Sequence, residues 1–298
     1  MDRRQFLHQS SLLTGAAALG LTGCNPNDAP DFEMGYQLFS IREDMDKAPL
    51  ETLAALKAMG YRHFEAYNFD EKNGAFYGLP AAELRRRMDD MDLAMTSAHF
   101  GLFTYLERPV AELERYVDQC IGAALALGMR YVTWPWLAPE QRTLEHFKLL
   151  TGRLNLIGER VTAAGLGFAY HNHDFEFVDH GGVTGYDLIL RETDPALVKL
   201  QLDMYWVAHG GKTTPAAMIA ADPGRYVMWH IKDMHKISRD YTELGNGSID
   251  YAAILPDPKT SGLELFYIEQ GGNYTHSAMR SARDSAVFFE ERLRSFLR

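Results

Sequence analysis

The chain has 298 residues, 46% of them hydrophobic and 23% charged, and this ordinary globular composition excludes a disordered, collagenous or fibrous protein. Asp and Glu outnumber Lys and Arg by 40 to 30, and the resulting formal charge of −10 argues against nucleic acid or an anionic membrane surface as a partner. The two cysteines, Cys24 and Cys120, are too few for a disulfide framework.

The N-terminal segment has the order of an export signal. The pair Arg3-Arg4 precedes a short apolar stretch over residues 12–21, and small residues follow up to Cys24. The arginine pair resembles a twin-arginine signal, and residues 21–24 resemble a bacterial lipoprotein box, in which the cysteine is lipidated. We therefore expect a signal peptide over residues 1–23, a tether over residues 24–33, and an exported, periplasmic protein that touches the membrane only through a lipid on Cys24.

The rest of the chain repeats a unit of strand, loop and amphipathic helix. The clearest helix is predicted over residues 110–127, where apolar residues recur three and four apart and Gly128 follows at the position that favours a left-handed cap. A second apolar stripe runs over residues 147–164 and ends at Gly165. Cys120 lies on the first stripe, which predicts that its thiol is buried.

Eight strands are predicted, and each follows a segment with a helical pattern. They cover Met34–Ser40, Tyr61–Ala66, Ala94–His99, Tyr131–Trp134, Leu166–His171, Val198–Asp203, Val227–Lys232 and Glu264–Glu269. Strands that alternate with helices indicate parallel βαβ units, and eight such units predict an α/β fold, a single parallel (β/α)8 TIM barrel over residues 34–298. An open doubly wound sheet is the alternative, but no Gly-x-Gly-x-x-Gly loop follows the first strand.

Several predicted strands end in residues that can bind a metal or transfer a proton. The residues at these ends are Glu65, His99, His171-Asn172-His173-Asp174, Asp203, His230-Ile231-Lys232-Asp233 and Glu269. In a barrel the carboxyl ends of the strands meet at one face, and that face carries the active site. The period of two places His171 and His173 on the same face of their strand. These residues could instead be solvated polar groups at the barrel mouth.

Carboxylate and imidazole ligands without thiolates suit one divalent metal ion, namely Mn²⁺, Co²⁺, Zn²⁺ or Mg²⁺. Such an ion can acidify the C–H next to a carbonyl, and a nearby base can then remove the proton, which favours a sugar or polyol substrate. Glu65, His99, Trp134 and Trp206 lie at predicted strand mouths and are candidate substrate-binding residues. The two tryptophans could equally close the core.

Six stretches resemble the xylose isomerase-like TIM barrel superfamily of sugar phosphate isomerases and epimerases. They are residues 35–42, 60–65, 170–177 (Tyr-His-Asn-His-Asp-Phe-Glu-Phe), 202–206, 230–233 and 245–250. The resemblance implies one divalent ion held by Glu, Asp, His and Glu from strands five to eight, and Asp203, His230 and Glu269 match the last three. His171 stands where many members carry the first Glu, so the first ligand is either His171 or Glu176.

The resemblance also implies a catalytic role for His173, because relatives with this spacing use such a histidine as the base. The predicted function is therefore proton abstraction next to a carbonyl by His173, assisted by Glu176 or Lys232, in an isomerase or epimerase. A dehydratase or 3-keto-glycoside lyase on the same site is an alternative within enzymes. An endonuclease of the same superfamily is disfavoured by the acidic charge. A non-catalytic carbohydrate-binding lipoprotein is the alternative from another class.

Overall fold

Eight parallel strands close into a barrel in the computed structural model, which describes residues 32–297. The barrel strands are β1 (Gly35–Gln37), β2 (His63–Ala66), β3 (Ala94–His99), β4 (Tyr131–Trp134), β5 (Gly167–His171), β6 (Lys199–Asp203), β7 (Met228–Ile231) and β8 (Leu265–Ile268). Each strand pairs with its neighbours in chain order, and β1 pairs with both β2 and β8, which closes the sheet. The predicted parallel (β/α)8 barrel is confirmed.

Eleven helices of the described residues surround the barrel or cover its ends. They are α1 (Arg42–Lys47), α2 (Pro49–Ala58), α3 (Ala81–Asp89), α4 (Val110–Leu127), α5 (Leu144–Ala163), α6 (Gly185–Glu192), α7 (Met204–Gly210), α8 (Pro215–Ala221), α9 (Tyr251–Ile254), α10 (Pro258–Ser261) and α11 (Ala278–Phe288). Shorter helical turns include Leu38–Ile41, Leu102–Tyr105 and Phe175–Phe177, and the chain ends in Phe289–Leu293 and Arg294–Leu297. None of the described helices is long and apolar enough to cross a membrane.

Helix α4 has the bounds that its apolar pattern predicts. Leu113, Val117 and Cys120 lie on its buried face, and Gly128 ends the helix with a left-handed φ of 71°. A side chain at Gly128 would be strained in this conformation and would also meet the guanidinium of Arg85. Burial raises the pKa of the Cys120 thiol well above its ordinary value. The expectation that this cysteine is buried is confirmed.

The first strand is shorter than its sequence pattern predicts. Strand β1 ends at Gln37, and the chain turns into the helical segment Leu38–Ile41. The Gln37 side chain causes this early end, because its Oε1 accepts a hydrogen bond from the backbone N–H of Phe39 at 3.0 Å. Such a local bond satisfies a backbone N–H that would otherwise bond to the neighbouring strand. The turn places Phe39 at the mouth of the barrel, where 41% of its surface is exposed.

The inside of the barrel changes from apolar to polar along its axis. Residues two apart on each strand share the inward face. Near the amino ends, this face carries the buried side chains of Ala169, Met228 and Tyr267. Two residues further along β7, the inward position is His230. The layer below the strand ends is therefore largely apolar, with the exception of the buried His63 and Thr96, and the polar layer lies above it at the carboxyl ends.

The folded unit begins before residue 34. Phe32 packs against the core, and its backbone N–H donates to Leu297 O at 3.3 Å. The carbonyl of Glu33 contacts His63 Nε2 at 2.9 Å. Phe32 and Glu33, the last two residues of the predicted tether, thus belong to the barrel, because Phe32 bonds to Leu297 near the C-terminus and Glu33 contacts His63 of β2. The predicted signal peptide, Cys24 and the remainder of the tether lie outside the described residues.

Two small antiparallel sheets extend the loops at the carboxyl ends of the strands. The first contains Phe69–Asp70, Ala75–Phe76 and Leu79–Pro80 and follows β2. The second pairs Asp233–Met234 with Tyr241–Thr242 and follows β7. Neither was expected from the strand pattern, because two-residue strands have no readable period. Both add side chains to the wall of the cavity described below.

Candidate functional site

A layer of buried polar side chains occupies the carboxyl end of the barrel. The inward positions that end the strands carry Gln37, Glu65, His99, His171, Asp203, His230 and Glu269. All but His99 are buried. Strand β2 has an irregular register between Phe64 and Glu65 where it pairs with β3. Irregularities of this kind are common next to functional sites, where they change the direction of a side chain. Buried polar groups are stable only when paired, so the contacts within this layer define its chemistry.

Asp203, His230 and Glu269 offer three ligand atoms that lie within 4.8 Å of one another. His230 Nδ1 lies 2.5 Å from Glu269 Oε2 and 4.0 Å from Asp203 Oδ2. Lys232 Nζ contacts the same carboxylates, at 2.7 Å from Asp203 Oδ2 and 2.9 Å from Glu269 Oε2. The sequence prediction placed all three in a metal site, and the structure brings them together around one point.

The second ring nitrogen of His230 points to Glu65. His230 Nε2 and Glu65 Oε2 are 2.6 Å apart, and both side chains are fully buried. Burial alone would lower the pKa of His230, but Glu65 and Glu269 raise it to about 9. A carboxylate on one nitrogen fixes the ring so that the other nitrogen faces the ligands, which is the usual support for a metal-binding histidine. Glu65, a predicted substrate-binding residue, therefore lies behind His230, where it is shielded from the cavity.

Gln201, which is not among the predicted site residues, connects this layer across the barrel. Its Oε1 contacts His99 Nε2 at 2.8 Å and His171 Nδ1 at 2.9 Å, and its Nε2 donates to Glu65 Oε1 at 2.8 Å. Gln37 is not among the predicted site residues either; its Nε2 donates to Glu65 Oε2 at 2.7 Å. Gln201 occupies the inward position two residues before Asp203, and that spacing was its only sequence signal, whereas Gln37 lies in register with Glu65 on the neighbouring strand.

Glu65 accepts from four side chains. In addition to Gln37, Gln201 and His230, it contacts His99, whose Nε2 is 3.1 Å from Glu65 Oε2. Burial alone would raise the pKa of Glu65, but the neighbouring histidines hold it well below its usual range. The carboxylate is therefore ionised and adds to the negative charge of Asp203 and Glu269. Lys232 and, in the metal-free protein, the protonated His230 face these three carboxylates and offset part of their negative charge.

The two candidates for the first metal ligand have different surroundings. His171 lies in the cluster, with its Nε2 3.6 Å from Asp203 Oδ2, and it also forms a compact group with His99 and His230. Glu176 lies apart from these atoms. Its Oε1 accepts from Tyr170 OH at 2.7 Å and its Oε2 from the backbone N–H of His173 at 2.8 Å. Burial raises the pKa of Glu176 to about 8. A neutral, fully engaged carboxyl supports the loop and makes a poor ligand.

His173, the predicted base, lies at the wall of the cavity beside the cluster. Its ring stacks on Phe175 with centroids 5.3 Å apart and packs against Trp206 at 5.2 Å and His171 at 5.0 Å. Its Nδ1 has no hydrogen-bond partner among the described residues. Burial and then the charge of Lys232 lower the pKa of His173 well below its ordinary value. The ring is therefore neutral near pH 7 and keeps a lone pair that can accept a proton.

Lys232 completes the polar side of the site. Burial alone would lower its pKa, but the carboxylates of Asp203 and Glu269 raise it above the ordinary value. The ammonium also lies 5.8 Å from the ring centroid of Trp206 and 5.9 Å from that of Tyr241. Lys232 is thus a fixed positive charge, which suits a group that stabilises an anion.

A cavity of about 740 Å³ opens above this layer. Its wall includes His99, His171, His173, Lys232 and Glu269, together with aromatic residues from the loops after β1 to β4. Trp134 is absent from this wall, because its side chain is fully buried and its Nε1 donates to the carbonyl of Trp136 at 2.8 Å. Trp136 lines the cavity in its place. Trp206, the other predicted substrate-binding tryptophan, is also absent from this wall, and its ring packs against His173 with centroids 5.2 Å apart.

The loop after β7 is held by the carboxylate of Asp233. Its Oδ2 accepts from the backbone N–H groups of Gly245 at 2.9 Å and Gly247 at 3.0 Å, and its Oδ1 accepts from Ile249 N at 3.1 Å. A side chain at Gly247 would collide with this carboxylate. The backbone donors of this glycine-rich segment are used within the loop. The loop positions Tyr241 over Lys232.

The donor set fits a divalent cation. Two carboxylates and two imidazoles converge, and Asp203 Oδ2 has an ammonium contact but no well-aligned hydrogen bond within the described residues. Oxygen and nitrogen donors without sulfur match the ions Mn²⁺, Co²⁺, Zn²⁺ and Mg²⁺. His230 has the supporting carboxylate that metal-binding histidines need. Asp203, His230 and Glu269, with His171 beside them, are therefore the residues that could hold the metal.

Comparison with known proteins identifies relatives of the barrel. Residues 53–274 match the family described as "Xylose isomerase-like TIM barrel". No curated protein matches the sequence. Solved structures do match, including a sugar phosphate isomerase/epimerase from Parabacteroides distasonis with a TM-score of 0.77 and 22% identity, covering 91% of this chain and 97% of that one.

Two further structures are similar at lower identity. A xylose isomerase-like TIM barrel protein from Mycobacterium smegmatis in complex with magnesium has a TM-score of 0.66 and 16% identity, covering 91% of this chain and 99% of that one. A structure described as "probable 3-DHS dehydratase" from Bacillus anthracis has a TM-score of 0.67 and 13% identity, covering 88% of this chain and 100% of that one. At these identities the likeness shows the fold alone.

Proposed function

Since this chain belongs to the xylose isomerase-like TIM barrel family, we propose that it is a divalent-metal-dependent isomerase or epimerase acting on a keto-sugar or polyol. The reaction is removal of a proton next to a carbonyl, followed by its return to another face or another carbon. One observation carries the proposal: neutral His173 lines the same cavity as Glu269, and Glu269 belongs to the ligand set with the buried Asp203 and His230. A base and a cation site at one cavity are the two parts that this chemistry needs.

The metal would be held by Asp203, His230 and Glu269, with His171 as the fourth ligand. The 3.6 Å between His171 Nε2 and Asp203 Oδ2, and the engagement of Glu176 elsewhere, favour His171 over Glu176. When bound, a divalent ion withdraws charge from a substrate carbonyl and so acidifies the neighbouring C–H. Glu65 orients His230 for this role, and Gln201 orients His171.

His173 would accept the proton. Its position against Phe175 and Trp206 fixes the ring, and its low pKa leaves the imidazole neutral. Lys232 is the group that would stabilise negative charge on the substrate, because its ammonium is held in place by Asp203 and Glu269. Glu176 acts indirectly, since its carboxyl holds the backbone N–H of His173 and so positions the base.

A lyase is the second candidate. If the substrate carries a leaving group next to the carbon that loses its proton, the same first step leads to elimination, and the enzyme is a dehydratase or 3-keto-glycoside lyase. The cavity of about 740 Å³ supports this candidate, because it has room for a substituent in addition to one sugar ring. We further propose that the protein is exported and anchored through Cys24, as the order of its N-terminal segment suggests.

The test is hydrogen exchange on candidate substrates. Purified protein loaded with each of Mn²⁺, Co²⁺, Zn²⁺ and Mg²⁺ is incubated in D₂O with ketohexoses and with 3-keto-glucosides, and the substrates are followed by NMR. An isomerase or epimerase incorporates deuterium and forms a new sugar. A lyase releases the substituent. A non-catalytic carbohydrate-binding protein does neither, and that outcome would exclude the proposal.

A further inference from the structure

The cavity has two chemically different halves. The residues that carry proton-transfer and ligand chemistry come almost entirely from the loops after β5 to β8, with His99 as the exception. The loops after β1 to β4 contribute a wall of aromatic side chains, which contains Phe39, Tyr67, Phe69, Phe100, Phe103 and Trp136. The proposed chemistry uses only the first half. The aromatic half is therefore unexplained by the reaction itself.

Five of these rings are partly accessible, and four of the five form two edge-to-face pairs. Phe39 and Tyr67 have centroids 5.5 Å apart with planes at 89°. Phe103 and Trp136 have centroids 5.2 Å apart with planes at 87°. Accessible aromatic rings in a pocket wall offer flat apolar faces, and a planar or pyranose ring packs well against such faces. Phe39 is 41% exposed, so part of its ring is accessible to a ligand.

The charged side chains in and near the wall indicate what kind of ligand fits the aromatic half. Lys232 is the sole Lys or Arg that lines the cavity within residues 32–297, and its ammonium is already paired with Asp203 and Glu269. Two arginines stack on the aromatic wall, Arg42 over Phe39 at 4.7 Å and Arg142 over Trp136 at 5.1 Å.

Both of these guanidinium groups are bonded to backbone carbonyls. Arg42 Nη1 donates to Phe39 O at 3.2 Å and to Gly271 O at 3.4 Å, and Arg142 Nε donates to Leu137 O at 3.1 Å. Neither arginine is among the residues that line the cavity, so within the described residues a phosphate there would meet Lys232 as its one Lys or Arg, and Lys232 is already paired with two carboxylates. An uncharged group with apolar faces is the better match.

We propose that the aromatic half is a second subsite, and that it binds the aglycone ring of an uncharged glycoside whose sugar ring lies over the polar half. This inference rests on the proposed function, because it takes the polar half as the place of the reacting sugar. The volume of about 740 Å³ is in the upper part of the range of about 300–1,000 Å³ for ligand pockets, which leaves room for two rings. Asn68 lines the same half and could hydrogen-bond a hydroxyl of the second ring.

Binding tests this subsite without requiring turnover. Calorimetric titration of the metal-loaded protein compares p-nitrophenyl glucoside with methyl glucoside, each in both anomeric forms, and with glucose 6-phosphate. We expect the p-nitrophenyl compound of one anomer to bind about tenfold more tightly than its methyl counterpart, the gain of roughly one favourable ring contact. Equal affinity for the two glucosides, or tightest binding of glucose 6-phosphate, would overturn the proposal.

Matched variants localise the effect. Phe39→Ala and Phe296→Ala remove the same side chain at the same exposure of 41%, but only Phe39 lines the cavity. We expect Phe39→Ala to reduce the preference for the p-nitrophenyl compound at least about threefold. We expect the same reduction for Trp136→Ala, which alters the other pair of rings. Phe296→Ala should leave the preference unchanged. A preference that survives both cavity variants would show that the ring binds elsewhere.

The proposed function and this subsite fail in different ways. Absence of deuterium exchange on every keto-sugar would refute the reaction while leaving the binding preference measurable. Exchange on simple ketohexoses, with no preference for an aglycone ring in binding, would support the reaction and refute the subsite.

Discussion

His230 and Glu65 are joined by a contact of 2.6 Å between Nε2 and Oε2, and this contact decides which nitrogen of His230 faces Asp203 and Glu269. The imidazole is buried and has a carboxylate at each end, so it has no freedom to flip. Glu65 thus orients His230 by holding the ring nitrogen that is opposite to the other ligands. The contribution of the contact between His230 and Glu65 can be measured through its effect on metal affinity.

Glu65→Gln tests this support. The amide cannot accept from His230 as strongly as a carboxylate, so metal affinity should fall by about 10- to 100-fold, the usual effect of losing such a partner. Titration of the apo protein with Zn²⁺ or Mn²⁺ measures it. Glu243→Gln is the control, because Glu243 is a buried carboxylate that bonds Thr275 and Ser281 outside the cluster. Equal affinity in wild type and Glu65→Gln would mean that His230 binds no metal.

A second prediction separates the two candidates for the first ligand. His171→Ala should lose metal, since His171 lies beside Asp203, and Glu176→Gln should keep it, since both oxygens of Glu176 are engaged by Tyr170 and His173. Elemental analysis of the two purified variants gives the answer. Metal loss from Glu176→Gln with retention in His171→Ala would reverse the assignment.

The buried Glu176 carboxyl predicts a pH dependence of stability. Burial raises its pKa to about 8, whereas the unfolded chain titrates near 4.5, so between these values the folded state binds a proton that the unfolded state has lost. The stability that this proton provides is complete below pH 4.5 and is lost as the pH rises towards 8. Glu176→Gln removes the titration. Relative to wild type, its melting temperature should therefore rise between pH 5 and pH 8.5, and a difference that does not change with pH would contradict the assignment.

The N-terminal prediction concerns Cys24, which lies outside the described residues. Intact mass of protein from its native host should show a chain that begins at a lipidated Cys24. Cys24→Ala should leave the melting temperature unchanged and move the protein from the membrane fraction to the soluble fraction, because the barrel begins at Phe32 at the latest. An unprocessed chain starting at Met1 would refute the export proposal.

Much of the barrel is predictable from the sequence because the strands and helices have clear periods. Helix α4 is the best case, since its stripe and Gly128 fix both ends. Strand β1 is the exception, because the Gln37 side chain ends it early through a local bond that no hydrophobic pattern reveals. The resemblance and the strand ends indicate Asp203, His230 and Glu269 as ligands. Their mutual proximity follows from the barrel geometry.

The contacts that support the site were less predictable. Gln201 contacts His99, His171 and Glu65 only because three separate strands place these residues at one level of the barrel. Two tryptophans two residues apart, Trp134 and Trp136, differ in that the first is buried and the second lines the cavity. Strand β4 ends at Trp134, and a sequence pattern does not locate the end of a strand to within one or two residues.

The central claim is that His173 removes a proton while other residues hold the metal. Its most direct test is the rate of substrate C–H exchange in D₂O, measured with metal content on the same sample of His173→Ala. We predict that the variant keeps most of its metal and its substrate affinity, and that its exchange rate falls by about 10²- to 10⁴-fold, the usual contribution of a positioned base. A His173→Ala protein that has lost its metal, or that exchanges as fast as wild type, would contradict the assignment of His173 as the base.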